Sequence, residues 1–371
     1  MDAPAAGVAL SNLIKTSASL VVGTWMLSMF LNSMIGVERL KEYIDCKEHE
    51  PAWDLASEDR KLGKNWPKQG KIKITNLSLR YREGLPLVLK ALNLTINAGQ
   101  KVGIVGRTGS GKSTLMLGLM RILEMDSGVA QQPGLKDGGI QIDGVDIYQI
   151  GLHRLRRGLT IIPQDPYLFK GTLRTNLDPL NLFRDEQIME GLTTVKFFST
   201  LKSEVLAYVR ASRIENEGEK SNNIDREGYE LLEQPLHPEN SLTIQQKLDL
   251  EIEKAGANLS LGQRQLICIA RALVNKPKIL LMDEATASVD QKTDEIIQDV
   301  IMNEMEGTTI IIIAHRINTI IGYDKIVVLE QGKKGEEGSP KELFEAGGIF
   351  YDMVEKCGAE FMQEVIRRFK D

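Results

Sequence analysis

Two groups of residues in this chain have types and spacings suited to phosphate chemistry. The first is Gly106-Arg107-Thr108-Gly109-Ser110-Gly111-Lys112-Ser113-Thr114, of the form G-x-x-x-x-G-K-S. Its glycines allow successive backbone N–H groups to turn toward phosphate oxygens, and Lys112 adds a mobile positive charge. The Ser113 hydroxyl suits a Mg²⁺ shell otherwise made of water and phosphate. The second is Ile279-Leu280-Leu281-Met282-Asp283-Glu284. A phosphate cradle becomes a hydrolase only with a carboxylate for the metal and a residue to orient water, and this run ends on both. Asp283 takes the metal role and Glu284 the water. Alternation along a strand predicts that the two side chains point differently and so divide the work.

These residues need elements to hold them. An apolar strand over residues 101–105 enters the glycine loop and a helix over 113–123 leaves it. Runs 159–162, 279–282 and 309–313 are continuously apolar, the pattern of parallel strands buried on both faces. Segments 71–74, 77–81, 92–96 and 140–142 alternate polar and apolar, which predicts an antiparallel sheet. A mainly helical stretch, about 166–275, interrupts the nucleotide core. Within it, residues 210–240 are polar and read as a surface insertion, where Arg210, Ser212 and Arg213 form either a phosphorylation site or a chance charge cluster.

Upstream, residues 46–70 turn charged and carry Pro51, Gly63 and Pro67, the composition of a linker. Residues 16–37 hold no charged side chain and are long enough to span a bilayer. Ser17, Ser19, Thr24, Ser28, Asn32 and Ser33 make the stretch only weakly hydrophobic, so two readings stay open: a membrane helix, or an amphipathic helix packed on a partner. A secretory signal is a poor fit, because no basic segment precedes a short apolar core.

The 371 residues suffice for one large domain or two ordinary ones. A net charge of −5 gives no broad attraction to nucleic acid or acidic membrane surfaces. Cys46, Cys268 and Cys357 are scattered and odd in number, as expected of reduced thiols in a cytosolic compartment.

Asn258-Leu259-Ser260-Leu261-Gly262-Gln263-Arg264-Gln265, preceding the Asp283-Glu284 run, resembles the signature of the ABC transporter nucleotide-binding cassette. The finer resemblance is to the second cassette of the C subfamily, the multidrug-resistance-associated exporters. It rests on Tyr81-Arg82, Ile161-Ile162-Pro163-Gln164-Asp165-Pro166, Asn176-Leu177-Asp178-Pro179, Glu284-Ala285-Thr286-Ala287-Ser288-Val289-Asp290 and Ala314-His315-Arg316. Leu261 stands where the wider family has glycine, and a branched apolar residue there marks the subfamily.

The resemblance implies an α/β P-loop NTPase fold: a mixed-sheet core with an antiparallel β subdomain and a helical subdomain, preceded by an N-terminal membrane-type helix. Residues 1–45 would then be the end of a transmembrane domain, 46–70 a linker and 71–371 the cassette. ATP and Mg²⁺ are the implied ligands. Tyr81 would stack on adenine, Gln164 would contact Mg²⁺ and the water, and His315 would hydrogen-bond the γ-phosphate and hold Glu284. Ser260, Gly262 and Gln263 would face ATP bound to a partner cassette, with Asp290 crossing the same interface. The implied partners are transmembrane domains, a complementary cassette and the membrane, not nucleic acid, with the cassette on the cytoplasmic side. The expected activity is ATP hydrolysis powering export of organic anions or conjugates. The rival readings are a truncated or regulatory ATP-binding cassette and a soluble ATPase of the same type.

Overall fold

In the computed structural model Ala3–Asp45 is one unbroken helix. The structure describes residues 3–45, 50–55, 62–63, 65–126, 138–201, 243–284, 289–314 and 316–370. Cys46, the 210–240 insertion with Arg210, Ser212 and Arg213, residues 285–288 and His315 lie outside these. The chain divides into two units at Pro51.

The first unit is that helix. Four of its hydroxyls bond to the helix backbone: Thr16, Ser19, Thr24 and Ser33 donate to the carbonyls of Asn12, Lys15, Leu20 and Met29, one turn earlier. These polar groups are thereby satisfied within the helix, as an apolar medium requires. Large apolar side chains such as Leu20, Trp25, Phe30 and Ile35 are exposed. With 43 residues the helix is ~64 Å long, about twice the thickness of a bilayer's hydrocarbon core. Among the described residues it is the one helix long and apolar enough to cross a membrane.

The second unit is built on twelve strands among its described residues. In chain order they are β1 (Ile72–Leu79), β2 (Leu89–Ile96), β3 (Lys101–Gly106), β4 (Gly139–Ile142), β5 (Val145–Asp146), β6 (Thr160–Ile162), β7 (Gly171–Thr172), β8 (Glu251–Ile252), β9 (Ile279–Asp283), β10 (Thr309–Ile313), β11 (Lys325–Glu330) and β12 (Lys333–Gly338). The main sheet runs β12-β11-β3-β10-β9-β6, with all neighbours parallel except β12 against β11. A second, antiparallel sheet runs β2-β1-β4-β5.

The apolar runs explain the main sheet's position. Leu280 and Met282 of β9 and Ile310 and Ile312 of β10 enter one core, shared with the helices after β6. Their neighbours Ile279, Leu281, Ile311 and Ile313 enter the other, shared with the antiparallel sheet. Alternate side chains of a strand face opposite ways, so a strand buried on both faces must be apolar throughout.

Between β6 and β9 lie the helices Leu173–Leu177, Asp185–Thr194, Ile244–Leu248 and Leu261–Asn275, with β7 and β8 pairing beside them. Two details depart from expectation. The helix after the glycine loop covers Lys112–Leu119 rather than reaching 123. Arg121 ends it, at φ 49, with its buried guanidinium donating to the carbonyls of Ile147 (2.9 Å) and Ile150 (3.0 Å). The β11–β12 hairpin was not foreseen at all.

Candidate nucleotide-binding site

Because β3, β6, β9 and β10 are parallel, the residues that follow them gather at one end of the sheet, where α/β proteins bind ligands. β3 delivers the glycine loop. Gly106 has φ 153, and a methyl there would meet the Ser110 hydroxyl at 2.7 Å and run into the Leu329 carbonyl oxygen. Only a residue without Cβ allows the loop this close to β11. The Lys112 ammonium donates to the carbonyls of Gly106 (2.8 Å) and Arg107 (3.2 Å). Burial pushes its pKa down, while the charges of Glu284 and Asp283 hold it up, so the loop's cation lies in the field of both carboxylates.

The residues fit a bound phosphate. The Ser110 Oγ is buried without a hydrogen-bond partner, inside a loop that glycine keeps open. They also fit Mg²⁺. The described residues contain no cluster of three or more His, Cys, Asp or Glu able to hold a metal alone. A cation held by the exposed Ser113 hydroxyl, the half-buried Asp283 and phosphate oxygens needs no such cluster.

Strand geometry does not extend to Glu284. β9 ends at Asp283, and Glu284 adopts φ 47. Its N–H donates to the Ile313 carbonyl at 3.1 Å, which carries the β9–β10 pairing one residue past the strand. The left-handed backbone costs energy at a residue with a Cβ, and such strain concentrates at functional sites. Gln164, two residues beyond β6, donates from Nε2 to Glu284 Oε2 at 3.1 Å. Tyr81, two residues beyond β1 and half exposed, has its hydroxyl 3.2 Å from that of Thr114, so its ring stands over the start of the loop's helix. Thr108 and Gly109 occupy the outer turn of the loop. His315, expected at this end after β10, lies outside the described residues.

The signature segment is organised differently. Ser260 N-caps the helix Leu261–Asn275: its Oγ accepts from Gln263 N–H (3.2 Å), and the Gln263 side chain accepts from Ser260 N–H (2.8 Å). This capping box satisfies two donors internally and leaves Leu261 and Gly262 to present the free amides of the first turn. Gln263 also donates to the Thr200 carbonyl at 2.8 Å. A Cβ on Gly262 would lie 3.2 Å from Asp290 Oδ1 and 3.2 Å from Thr293 Oγ1. Asp290 caps the helix Gln291–Asp299, accepting from Thr293 N–H (3.1 Å) and Thr293 Oγ1 (2.9 Å), and those bonds hold its pKa below the ordinary value. Asp290 therefore touches its own chain's signature segment.

Two contributors were missed in the sequence. Asn176 is buried; its amide donates to the Phe169 carbonyl (2.8 Å), and its oxygen accepts from Phe169 N–H (2.8 Å) and Arg271 Nη2 (3.0 Å). Arg271, on the signature helix, also donates to the Tyr167 carbonyl at 3.0 Å. The segment just after Gln164 is thus bolted to that helix. No local pattern marks such a pairing across 95 residues. The second is the β11–β12 turn, Gln331-Gly332, which does carry a sequence signal: two residues ending in glycine directly after a strand-like run, residues 325–330.

A glycine-rich loop after β3, an acidic pair at the end of β9 and a glutamine after β6, joined at one end of a parallel sheet, define a P-loop nucleotide-binding protein. The family described as "ABC transporter" matches residues 89–287, and the chain belongs to it. It is 41% identical over 355 residues to "ATP-binding cassette sub-family C member 3" of Rattus norvegicus, which spans 95% of this chain and 20% of that protein. It is 42% identical over 354 residues to "ATP-binding cassette sub-family C member 2" of Homo sapiens, with 95% and 19% covered. To the "ATP-dependent bile acid permease" of Saccharomyces cerevisiae it is 40% identical over 365 residues, 96% of this chain and 20% of that one. The chain thus spans about a fifth of the length of these relatives. Among solved structures, "Structure of a bacterial Atm1-family ABC exporter with ATP bound" superposes with a TM-score of 0.64 at 26% identity, covering 90% of this chain and 50% of that one.

Proposed function

We propose that this chain forms the ATP-hydrolysing cassette of an exporter of organic anions or conjugates, with Ala3–Asp45 as a membrane helix and the cassette on the cytoplasmic side. The observation that carries this is the convergence of Lys112, Asp283, Glu284 and Gln164 at one end of the parallel sheet, closed by the Gln164–Glu284 hydrogen bond.

In this reading the triphosphate lies along residues 106–114, with loop N–H groups and Lys112 on its oxygens and Tyr81 on the adenine. Ser113, Asp283 and Gln164 would hold Mg²⁺, which when bound neutralises charge building on the phosphates. Glu284 orients the attacking water, and its hydrogen bond to Gln164 fixes where that carboxylate points. His315 takes the γ-phosphate contact. A partner cassette's signature, equivalent to Ser260, Gly262 and Gln263 here, closes over the nucleotide, and Asp290 lies in the same interface. One helix offers its whole surface to lipid, so the substrate path belongs to additional transmembrane segments. The Asn176–Arg271 brace ties the segment after Gln164 to the signature helix, which suits passing nucleotide state toward the membrane.

The test is ATP turnover by the full chain in detergent or bilayer discs at increasing concentration. Turnover per chain should rise with concentration and vanish when Ser260 and Gly262 are both disrupted. Fast turnover by a monomeric chain, independent of concentration, would refute the pairing.

A further inference from the structure

The turn between β11 and β12 touches the nucleotide loop at both of its ends. Leu329, near the end of β11, sets its carbonyl against Gly106, and Gly332 N–H donates to the Ser110 carbonyl at 3.2 Å. On its other side the Gly332 carbonyl accepts from Lys90 N–H, in β2, at 2.8 Å. One residue therefore bonds to the phosphate loop and to the antiparallel sheet that leads to Tyr81.

The geometry leaves no alternative residue. Gln331 and Gly332 have φ 48 and 83, and they join the paired residues Glu330 and Lys333 in a two-residue hairpin turn. Such turns need positive φ at both positions, which favours glycine. Space is the second constraint: a methyl on Gly332 would run into the Val88 carbonyl oxygen, with the Val88 carbonyl carbon at 3.0 Å and Leu89 Cα at 3.4 Å. Leu89 in turn fills the space beside Gly111 of the loop, 2.6 Å from where a Cβ there would sit. A side chain at 332 can be accommodated only by moving the turn away from β2, which breaks the bond to Ser110 or the bond to Lys90.

We infer that Gly332 is a positioning residue for ATP binding, holding the phosphate loop and the adenine-bearing sheet at a fixed separation through its own N–H and carbonyl. It touches no nucleotide and acts through Ser110 and β2. The inference rests on the ATP-site reading above. By linkage, if the Gly332–Ser110 bond favours nucleotide binding, bound nucleotide must favour that bond equally.

The experiment compares Gly332→Ala with Gly307→Ala in the full chain. Gly307 has φ 72 and open space around it, so its alanine variant carries the same backbone strain without touching the loop. The readouts are thermal unfolding and the Kd for Mg²⁺ with adenylyl imidodiphosphate, a non-hydrolysable ATP analogue. Gly332→Ala should lose at least as much thermal stability as Gly307→Ala and raise Kd roughly tenfold or more, while Gly307→Ala stays within about twofold. A folded Gly332→Ala with the Kd of Gly307→Ala overturns the inference and leaves the ATP site standing. A wild-type chain that binds no analogue overturns both. If Gly332→Ala does not fold, amide exchange in the wild type decides: slower exchange at Gly332 on adding the analogue supports the inference, and unchanged exchange overturns it.

Discussion

The phosphate-loop end and the signature end of this cassette are finished to different degrees. At the loop, functional groups point at one another: Lys112 sits in the field of Asp283 and Glu284, Gln164 bonds Glu284, and Tyr81 meets Thr114. The Ser110 hydroxyl is buried there without a partner, and Glu284 holds a left-handed backbone. At the signature, Ser260 and Gln263 close a capping box on themselves, and Gly262 packs against Asp290 and Thr293 of the same chain. One end holds strain and an unspent hydroxyl ready for a ligand; the other is a stable helix start that presents a surface. In the proposed pairing the difference is what two half-sites would require: the chain would build the chemistry of one nucleotide and only the lid of another.

The largest expected effect breaks the loop end alone. Glu284→Gln should slow turnover by about 10²-fold or more, because it keeps the shape and the Gln164 contact but removes the charge that orients water. ATP affinity should be unchanged, so equilibrium binding and steady-state hydrolysis must separate. Turnover like the wild type's would remove Glu284 from its role.

Tyr81→Ala should raise the ATP concentration needed for half-maximal rate about fivefold, from a stacking loss of about 1 kcal/mol, with little change in maximal rate. Tyr81→Phe loses only the 3.2 Å contact to Thr114 and should change less. A lower maximal rate at unchanged ATP dependence would contradict the stacking role.

Ser260→Ala sharpens the other side of the comparison. Losing the cap should cost about 1 kcal/mol of stability, read from chemical unfolding. Turnover should fall while the chain's own ATP affinity holds, because in the proposed pairing Ser260 would serve a partner's nucleotide. A matching loss of ATP affinity would show that the two ends are not separate half-sites.

The smallest effect lies outside both ends. The Asp143 carboxylate accepts the N–H groups of Lys68 (2.7 Å), Gln69 (2.9 Å) and Lys71 (2.8 Å), fixing the chain's entry into β1. Burial alone would raise its pKa, but the N–H groups of Gln69, Lys71, Gly70 and Lys68 outweigh burial and hold it below the usual carboxylate value. A carboxyl with a lowered folded pKa contributes stability above its unfolded pKa and loses it as pH falls through the folded value. Asp143→Asn should therefore cost up to about 1 kcal/mol at neutral pH and nothing in strong acid, leaving ATP affinity unchanged. A constant difference down to strong acid would exclude the carboxylate as the cause.

Much of this was legible in the sequence, for physical reasons that also explain the omissions. The loop, the acidic pair and the signature are short, contiguous motifs whose chemistry fixes their residue types. Four of the main sheet's six strands, β3, β6, β9 and β10, were readable because burial on both faces forces unbroken apolar runs such as Ile279-Leu280-Leu281-Met282. The break in strand geometry at Glu284 was not legible, because a left-handed glutamate has no sequence signal. Asn176 stood out only as part of a resembling segment and Arg271 not at all, because their pairing exists only once the fold brings them together. The β11–β12 hairpin was overlooked because β12, Lys333-Lys334-Gly335-Glu336-Glu337-Gly338, is charged and glycine-bearing; it pairs at the sheet's edge, where burial does not select apolar residues.

The central claim is that each chain supplies chemistry for one nucleotide and a lid for another, and a mixing experiment tests it most directly. One full-length chain carries Glu284→Gln, with its signature intact; the other carries Ser260 and Gly262 disrupted, with its loop and Glu284 intact. Each alone should hydrolyse ATP at a small fraction of the wild-type rate, and mixing them should restore turnover in the sites that combine one chain's loop with the other's signature. Wild-type turnover by the signature-disrupted chain alone, or no recovery in a mixture shown to pair, would contradict the account.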